Sequence, residues 1–339
     1  NVYINNEISS RELDSKILLA ISAASRGHQV LISDQESLIK GLMRKFLVPG
    51  IFHTKSLTPS KTKIENHKKI LKTGSKITSI DEEGGLIDYK YDKFANLRFN
   101  KQPMKQSSAI FAWGSVDSKF LKKKYPKYSK KIHKTGSPRV DLWQPFFSNY
   151  WKAYKKDFKK PYLLIPSSFA SSSHIKTQYE RLKILKEGGY LKRDSKFLKT
   201  QMTEDYEHDK MLVSFIEAIK YLSNSGKKKF KIILRPHPNE SVKFWEICMY
   251  DTSNVEIIKD GPASSWINDA FAILHYNCTT GIESLVFGKP TISYSPFKTN
   301  NLEFTTDISL KTKTIKELSR TINLIFNQSK LKNKSNFKK

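Results

Sequence analysis

The stretch NVYINNEISSRELDSKILLAISAASRGHQVLIS, residues 1–33, decides the fold. Asn1–Asn5 reads as a short strand and Glu7–Asp14 as a polar loop. Ser15–Ser25 then places Ile17, Leu18, Ile21 and Ala24 on one side at helical spacing. Gly27 supplies the residue that ends a helix in a left-handed turn, and His28–Ser33 is the next strand. Strand, loop, helix, glycine and strand in that order form a βαβ unit.

The alternation continues outward. Ser37–Phe46 reads as a helix, Lys61–Thr73 as a helix closed by Gly74, and Lys76–Ile80 as a strand. Ala109–Trp113 reads as a buried strand and Ser115–Tyr125 as a helix. Residues 142–160 are aromatic and basic, contain Pro145, and read as a crossing between domains. Tyr162–Ile165 opens a second series. Lys210–Ser223 lines one helix face with Leu212, Phe215, Ile216, Ile219 and Leu222. The strands Lys229–Leu234, Val255–Ile258, Ala270–His275 and Pro290–Ser293 follow, with helices at Ala263–Asp269, Thr279–Phe287 and Ile315–Asn327. Such alternation predicts an α/β protein with parallel sheets covered by helices on both faces. For 339 residues it predicts two Rossmann-like domains, 1–150 and 151–328, facing an interdomain cleft, with 329–339 as a basic disordered tail.

Composition narrows the class. Apolar residues make up 38% and aromatics 12%, which excludes a disordered chain. No apolar run approaches the roughly 20 residues of a spanning helix. No charged-then-apolar leader is visible, so no export is expected. Cys248 and Cys278 lack metal or redox spacing, which argues for a reducing, cytoplasmic setting without disulfides. The net charge of +28 invites a polynucleotide partner, but only 9 of the 60 basic residues are Arg and 51 are Lys. Arginine is the side chain suited to bidentate phosphate and base recognition. Diffuse lysine, together with abundant Ile and Asn, reads as codon drift, and no nucleic-acid partner is expected.

Ligands of open parallel sheets bind beyond the carboxyl ends of the strands, so the loops there carry the candidate chemistry. Asp81-Glu82-Glu83-Gly84-Gly85 follows the strand Lys76–Ile80. Three adjacent acids repel one another, which raises at least one pKa and makes a candidate general base; the plain alternative is a charged surface turn. Arg235-Pro236-His237-Pro238 follows Lys229–Leu234. Its prolines fix the backbone about His237, and Arg235 and His237 are candidates to meet a phosphate. The third loop, His275 to Glu283, includes Asn277, Thr279, Thr280 and Gly281. Amides and hydroxyls at a helix start suit an anion, and Glu283 suits ribose hydroxyls; a capping box between Thr280 and Glu283 is compatible with this. Arg11, Glu12 and Asp14 lie in the first strand-to-helix loop, as acceptor contacts or with Asp14 as the helix N-cap. No His, Cys or acid spacing points to a metal.

ELDSKILLA (12–20), DEEGG (81–85), TGSPRVDLW (135–143), RPHPNE (235–240) and NCTTGIESLVFGKPTISY (277–294) together resemble bacterial surface-carbohydrate (capsule or lipopolysaccharide) biosynthesis proteins. The resemblance spans almost the whole chain in motif order. It implies the GT-B glycosyltransferase fold. The motif set is also similar to that of GT-B enzymes using CMP-activated sugars, the bacterial sialyltransferases and Kdo transferases. By that resemblance Glu82-Glu83-Gly84 is the acid-acid-Gly motif with Glu82 as base, His237-Pro238 meets the donor phosphate, and Thr279-Thr280 meets it too. Asp81 in front and Gly85 behind depart from the pattern and leave open which acid is the base. The GxPRxD stretch is similar to that of CDP-glycerol polymerases of teichoic acid synthesis.

The resemblance implies a transferase that moves a CMP-linked ulosonic acid to a glycan or lipid-linked acceptor without a metal. The enzyme would work in the cytoplasm, peripheral to the inner membrane face, with Lys-rich surface and tail on anionic lipid. The alternatives are a CDP-glycerol-type polyol-phosphate transferase, a non-hydrolysing UDP-sugar epimerase, and a non-enzymatic nucleic-acid-binding or scaffold protein.

Overall fold

Two separate sheets, each of six parallel strands, organise the computed structural model, which describes residues 1–83, 95–96, 98–154, 158–187, 195–298 and 303–336. They belong to two units, Asn1–Leu142 and Trp143–Lys339. The chain is therefore an α/β protein of two Rossmann-like units with the GT-B type of architecture.

In the first unit the strands are β1 (Val2–Asn5), β2 (Val30–Ser33), β3 (Ile51–Thr54), β4 (Lys76–Ile80), β5 (Ala109–Ala112) and β6 (Ile132–Lys134). Their order is β2-β1-β3-β4-β5-β6. Tyr3, Phe52 and Ile77 are buried at its centre, packed under Leu38, Leu42 and Ile70 of the helices Gln35–Met43 and Lys61–Lys72. The strand order reverses between β1 and β3. Beyond the carboxyl ends at such a reversal an open α/β sheet has its ligand crevice.

The second unit holds β7 (Tyr162–Pro166), β8 (Lys231–Arg235), β9 (Val255–Ile257), β10 (Ala272–His275), β11 (Thr291–Tyr294) and β12 (Leu310–Thr312), in the order β12-β11-β10-β7-β8-β9. β7, β8, β10 and β11 are buried almost throughout, as strands covered on both faces must be. Met211, Phe215, Ala218, Ile219 and Leu222 of the helix Ser195–Gly226 close the core on one side. Leu318, Ile322 and Phe326 of the helix Ile315–Asn336 contribute to the same core. The reversal here lies between β7 and β10.

Several elements differ from the sequence reading, and the helix read as Lys210–Ser223 runs Ser195–Gly226. The first helix begins at Ser9, not Ser15, so Arg11, Glu12 and Asp14 are helical rather than in a loop. The N-cap is Ile8, without a side-chain cap, and Glu12 instead accepts a hydrogen bond from the Glu7 amide at 3.2 Å. Asp14 is therefore not the cap. The last helix does not stop at Asn327 but runs to Asn336, because apolar anchors upstream seed it and lysine is a good helix former. Residues Ser148–Lys152 form a helix that bears the buried Trp151, and Ser148 accepts from Asn268 Nδ2 at 3.3 Å within the second unit.

Phe215 is 1% exposed and Val213, on the opposite side of the same helix, is 57% exposed. Phe215→Ala is expected to lower the unfolding free energy of the second unit by about 3–5 kcal/mol. Val213→Ala is expected to change it by less than about 0.5 kcal/mol. Urea denaturation followed by tryptophan fluorescence measures both.

Candidate active site

In the first unit, the carboxyl ends of β1, β3 and β4 carry Glu7, Lys55 and Asp81-Glu82-Glu83. The helix Ser9–Ala24 adds Arg11, Glu12 and Lys16, and Arg98 comes from further along the chain. Buried charges persist only when paired and hydrogen-bonded, and here each acid has a cation.

Asp81 is 4% exposed. Arg98 grips it with Nε, 3.2 Å from Oδ1 and 3.0 Å from Oδ2, and with Nη2, 2.9 Å from Oδ1. The Glu83 amide donates to Oδ1 at 2.9 Å, and Trp113 Nε1 donates to the Asp81 carbonyl at 2.7 Å. Burial pushes the Asp81 carboxyl up to about 6 against the pull of Arg98. The sequence reading expected such a shift from repulsion among three acids. Burial is the larger cause, and the neighbouring Glu83 charge only adds to it.

Glu82 is buried and its carboxylate pairs with the buried Lys16 ammonium. Its carbonyl accepts from Arg139 Nη1 at 3.0 Å, which ties the GxPRxD stretch to this loop. Glu83, with a side chain 40% exposed, bridges Arg98 Nη1 at 2.9 Å and Arg11 Nη1 at 3.4 Å. Glu12 is fully buried and takes Arg11 Nη2 at 3.0 Å and Lys55 Nζ at 3.3 Å. Burial raises its pKa, but Lys55, Arg11 and the Glu7 amide outweigh this and hold the carboxyl low. Lys55 also reaches Glu7 at 2.6 Å. Of the residues read as acceptor contacts, Arg11 thus links Glu12 to Glu83, whereas Glu12 and Asp14 are buried within the fold. Gly84 and Gly85 lie outside the described residues.

Lys16, Lys55, Arg98 and Arg139 went unnoticed as site residues in the sequence. Lys16 stands one helical turn after Glu12, a spacing that marks one face. Nothing in the local sequence marks Arg98.

In the second unit, β10, β7 and β8 are consecutive neighbours, so the loops after them share one edge. Arg235, expected on a phosphate, is turned into the fold instead. Nη1 and Nη2 each donate at 2.7 Å, to the carbonyls of Asp260 and Gly261, and the guanidinium lies 5.5 Å from the Trp266 ring centroid. Burial brings its pKa down to about 10. Pro236 is buried, while Pro238 and His237 are half-buried, and His237 Nδ1 accepts from the Asn239 amide at 3.2 Å. Glu240, fully buried, accepts from the Phe169 amide at 2.6 Å and Trp245 Nε1 at 2.7 Å, and so braces the loop after β7.

The loop after β10 is set by His275 and Asn277. His275 is buried and neutral, its pKa brought down to about 4 by burial. It contacts Ser309 Oγ through Nε2 at 2.9 Å and accepts from the Cys278 amide at 3.3 Å through Nδ1. Asn277 takes φ +46°, a left-handed turn that asparagine tolerates, and accepts from Thr305 Oγ1 at 3.0 Å. Ser168 Oγ reaches the Tyr276 carbonyl at 2.5 Å and joins this loop to the one after β7. The helix runs Thr280–Val286, with Thr279 at the N-cap position making no side-chain cap. The expected capping box is absent, because buried Glu283 accepts instead from Ser264 Oγ. Thr279 is exposed and Thr280 half-buried. Gly281 is a packing residue: a Cβ there would stand 2.8 Å from His275 Nε2.

No family model matches the chain, and no curated protein matches it. Solved structures do. The S. aureus protein MnaA in complex with UDP is 13% identical, at a TM-score of 0.56, over 97% of this chain and 88% of that one. The Methanocaldococcus jannaschii UDP-GlcNAc 2-epimerase in complex with UDP-GlcNAc and UDP is 13% identical, at 0.55, over 96% and 92%. The wall teichoic acid polymerase TagF is 9% identical, at 0.55, over 97% and 81%. At such identities the likeness is one of fold.

Two measurements test this geometry. Burial raises the folded-state pKa of Asp81 from 3.8 to about 6, so its bound proton stabilises the fold below about pH 4 and this contribution is lost as pH climbs through about 6. Asp81→Asn is expected to flatten the dependence of unfolding free energy on pH across that window. Gly281→Ala is expected to cost about 1–3 kcal/mol by overpacking against His275, and His275→Ala in the same chain to return part of it.

Proposed function

We propose that this chain is an enzyme acting on a nucleotide-activated sugar, with proton transfer at Asp81-Glu82-Glu83. The observation that carries the reading is the buried ionic cluster at the carboxyl ends of β1, β3 and β4, in which a carboxyl pushed up to about 6 sits among four fixed cations. A carboxyl brought up to about 6 by burial, at the carboxyl-end edge of a parallel sheet, is suited to give and take a proton near neutral pH.

Epimerisation of a UDP-sugar is the first form of this reading, favoured by the fold shared with the UDP-GlcNAc 2-epimerase. Inversion at the carbon beside the anomeric centre breaks a C–H bond while its electron pair displaces the nucleotide oxygen from that centre, and re-forms both bonds with the proton returned to the other face, so one group takes the proton and one returns it. Asp81 and Glu82, fixed by Arg98 and Lys16, are the candidates for those two roles. The second unit would hold the nucleotide through the side chains of His237, Asn277, Thr279 and Thr280, with no resident metal. Arg235 and Glu283 would support this loop edge from beneath rather than touch the donor.

Transfer is the second form, favoured by the order of the Glu82-Glu83, His237-Pro238 and Thr279-Thr280 motifs and by the fold of TagF. The donor would be a CMP-activated ulosonic acid or a CDP-linked polyol, and the base would take a proton from a hydroxyl of a glycan or lipid-linked acceptor at the cytoplasmic membrane face.

The two forms part on the need for an acceptor. Incubated with UDP-GlcNAc alone and followed by NMR, the protein is expected to give the epimeric UDP-sugar. Activity is expected to rise as pH passes about 6, to fall at least about 100-fold in Asp81→Asn or Glu82→Gln, and to show weaker UDP binding in His237→Ala. Nucleotide release from CMP-sialic acid, CMP-Kdo or CDP-glycerol only when an acceptor is added would replace epimerisation by transfer. Absence of UDP, CMP and CDP binding by calorimetry would sink both and leave a scaffold.

A further inference from the structure

The loop between the helix Gln35–Met43 and β3 has an unusual build. It reads Met43-Arg44-Lys45-Phe46-Leu47-Val48. Phe46 is 80% exposed, and Met43 and Val48 are exposed beside it. The loop is nevertheless held firmly. The amides of Phe46 and Leu47 both donate to the Gly41 carbonyl, at 2.9 and 3.1 Å. Tyr3 Oη donates to the Val48 carbonyl at 2.6 Å. Leu47 turns inward onto Gly41, where a Cβ would stand 2.8 Å from Leu47 Cδ1. Lys45 takes φ +60°, a strained left-handed conformation for a lysine, and this turn separates inward Leu47 from outward Phe46. A lone exposed aromatic residue is ordinary, but Met43, Phe46 and Val48 exposed together within six residues of a restrained loop make an apolar patch of the kind that marks an interaction surface.

The charge around it says what. From Ser37 to Pro49 the chain has no acid, but it has Lys40, Arg44 and Lys45. Lys40 is paired with Glu36, while Arg44 and Lys45 are exposed at the loop itself. We propose that Met43–Val48 is a docking wedge for an anionic lipid surface, with Phe46, Met43 and Val48 entering the headgroup region and Arg44 and Lys45 on the lipid charges. Apolar insertion plus a basic collar is the chemistry of interfacial membrane binding, and the net charge of +28 adds long-range attraction. A polynucleotide would engage the cations but gain little from methionine and valine. The loop precedes β3, so it lies at the amino-terminal edge of its sheet. The carboxyl-terminal edge with the ionic cluster stays open to substrate when the wedge is docked.

Co-sedimentation with vesicles tests the proposal independently of any activity. The wild-type chain is expected to bind phosphatidylcholine vesicles containing 30 mol% phosphatidylglycerol (about that fraction suffices for a strong surface potential) and to bind pure phosphatidylcholine far more weakly. Phe46→Ser is expected to weaken binding on the order of tenfold, and Arg44→Glu with Lys45→Glu by at least as much. Tyr250→Ser removes an aromatic residue that is 83% exposed in the other unit, and is expected to leave binding unchanged. Circular dichroism confirms that the variants fold. Equal binding of wild type and Phe46→Ser, equal loss in Tyr250→Ser, or no preference for the anionic vesicles overturns the proposal.

Discussion

Everything at the first unit's sheet edge depends on the pairing of buried carboxylates with cations. Asp81, Glu82 and Glu12 are all out of water, and each would be intolerable there alone. Arg98, Lys16 and Lys55 make them tolerable, and each cation comes from a different part of the chain. The edge therefore forms only when the helix Ser9–Ala24, the segment at Arg98 and the ends of β3 and β4 have all arrived. That is a demanding condition, because removing either partner of a buried pair leaves the other uncompensated. The arrangement also divides labour among three consecutive acids. Asp81 has a planar fork on both oxygens, Glu82 a point charge, and Glu83 two arginines and partial access to water. Three chemically similar side chains thus acquire three different environments.

The second unit solves its edge with neutral groups. Arg235 is bound by carbonyls and stacked near Trp266, and Glu240 gathers an amide and an indole N–H. His275 is neutral under the loop and serves as the surface on which Gly281 sits. These buried groups hold the loop backbone rather than reach into it. What they leave outward is His237, Thr279 and Thr280, the smaller and more accessible side chains of the motifs. With Arg235 and Glu283 committed to the scaffold, the outward groups of this edge are an imidazole and hydroxyls.

The fold was legible because strand–helix alternation and the glycines after helices survive in the local sequence. Gly27, Gly74 and Gly288 all adopt positive φ, where glycine is favoured, and each follows a helix that the spacing located. The start of the first helix was not legible. Polar Arg11, Glu12 and Asp14 look like a loop until the partners of Glu12 and Arg11, Lys55 and Glu83, are known, and those lie some forty and seventy residues away. The acid motif was found because it is contiguous, but the cause of its shifted pKa was misjudged, since burial is a tertiary property. Arg235 was misplaced for the same reason. A guanidinium after a strand suits a phosphate or a pair of carbonyls equally well on paper, and only the course of residues 260–261 decides between them.

That distinction bears on the charge of the whole chain. The nine arginines are too few to spread over a binding surface, and six of them hold the fold. Arg11, Arg98 and Arg139 tie the acid cluster together. Arg235 and Arg181 fix loops at the second unit's edge, and Arg26 closes the end of its own helix against Ser22. Forked donors are used where geometry must be fixed from several directions. Lysine, with one flexible point charge, fills solvent-facing positions, and where it is buried it meets the Glu82 carboxylate, as Lys16 does, or neutral oxygens of Gln35 and Thr54, as Lys63 does. The net charge of +28 is therefore two populations with different physical roles: a small set of arginines that shape the interior edges, and a large set of lysines that set the field outside.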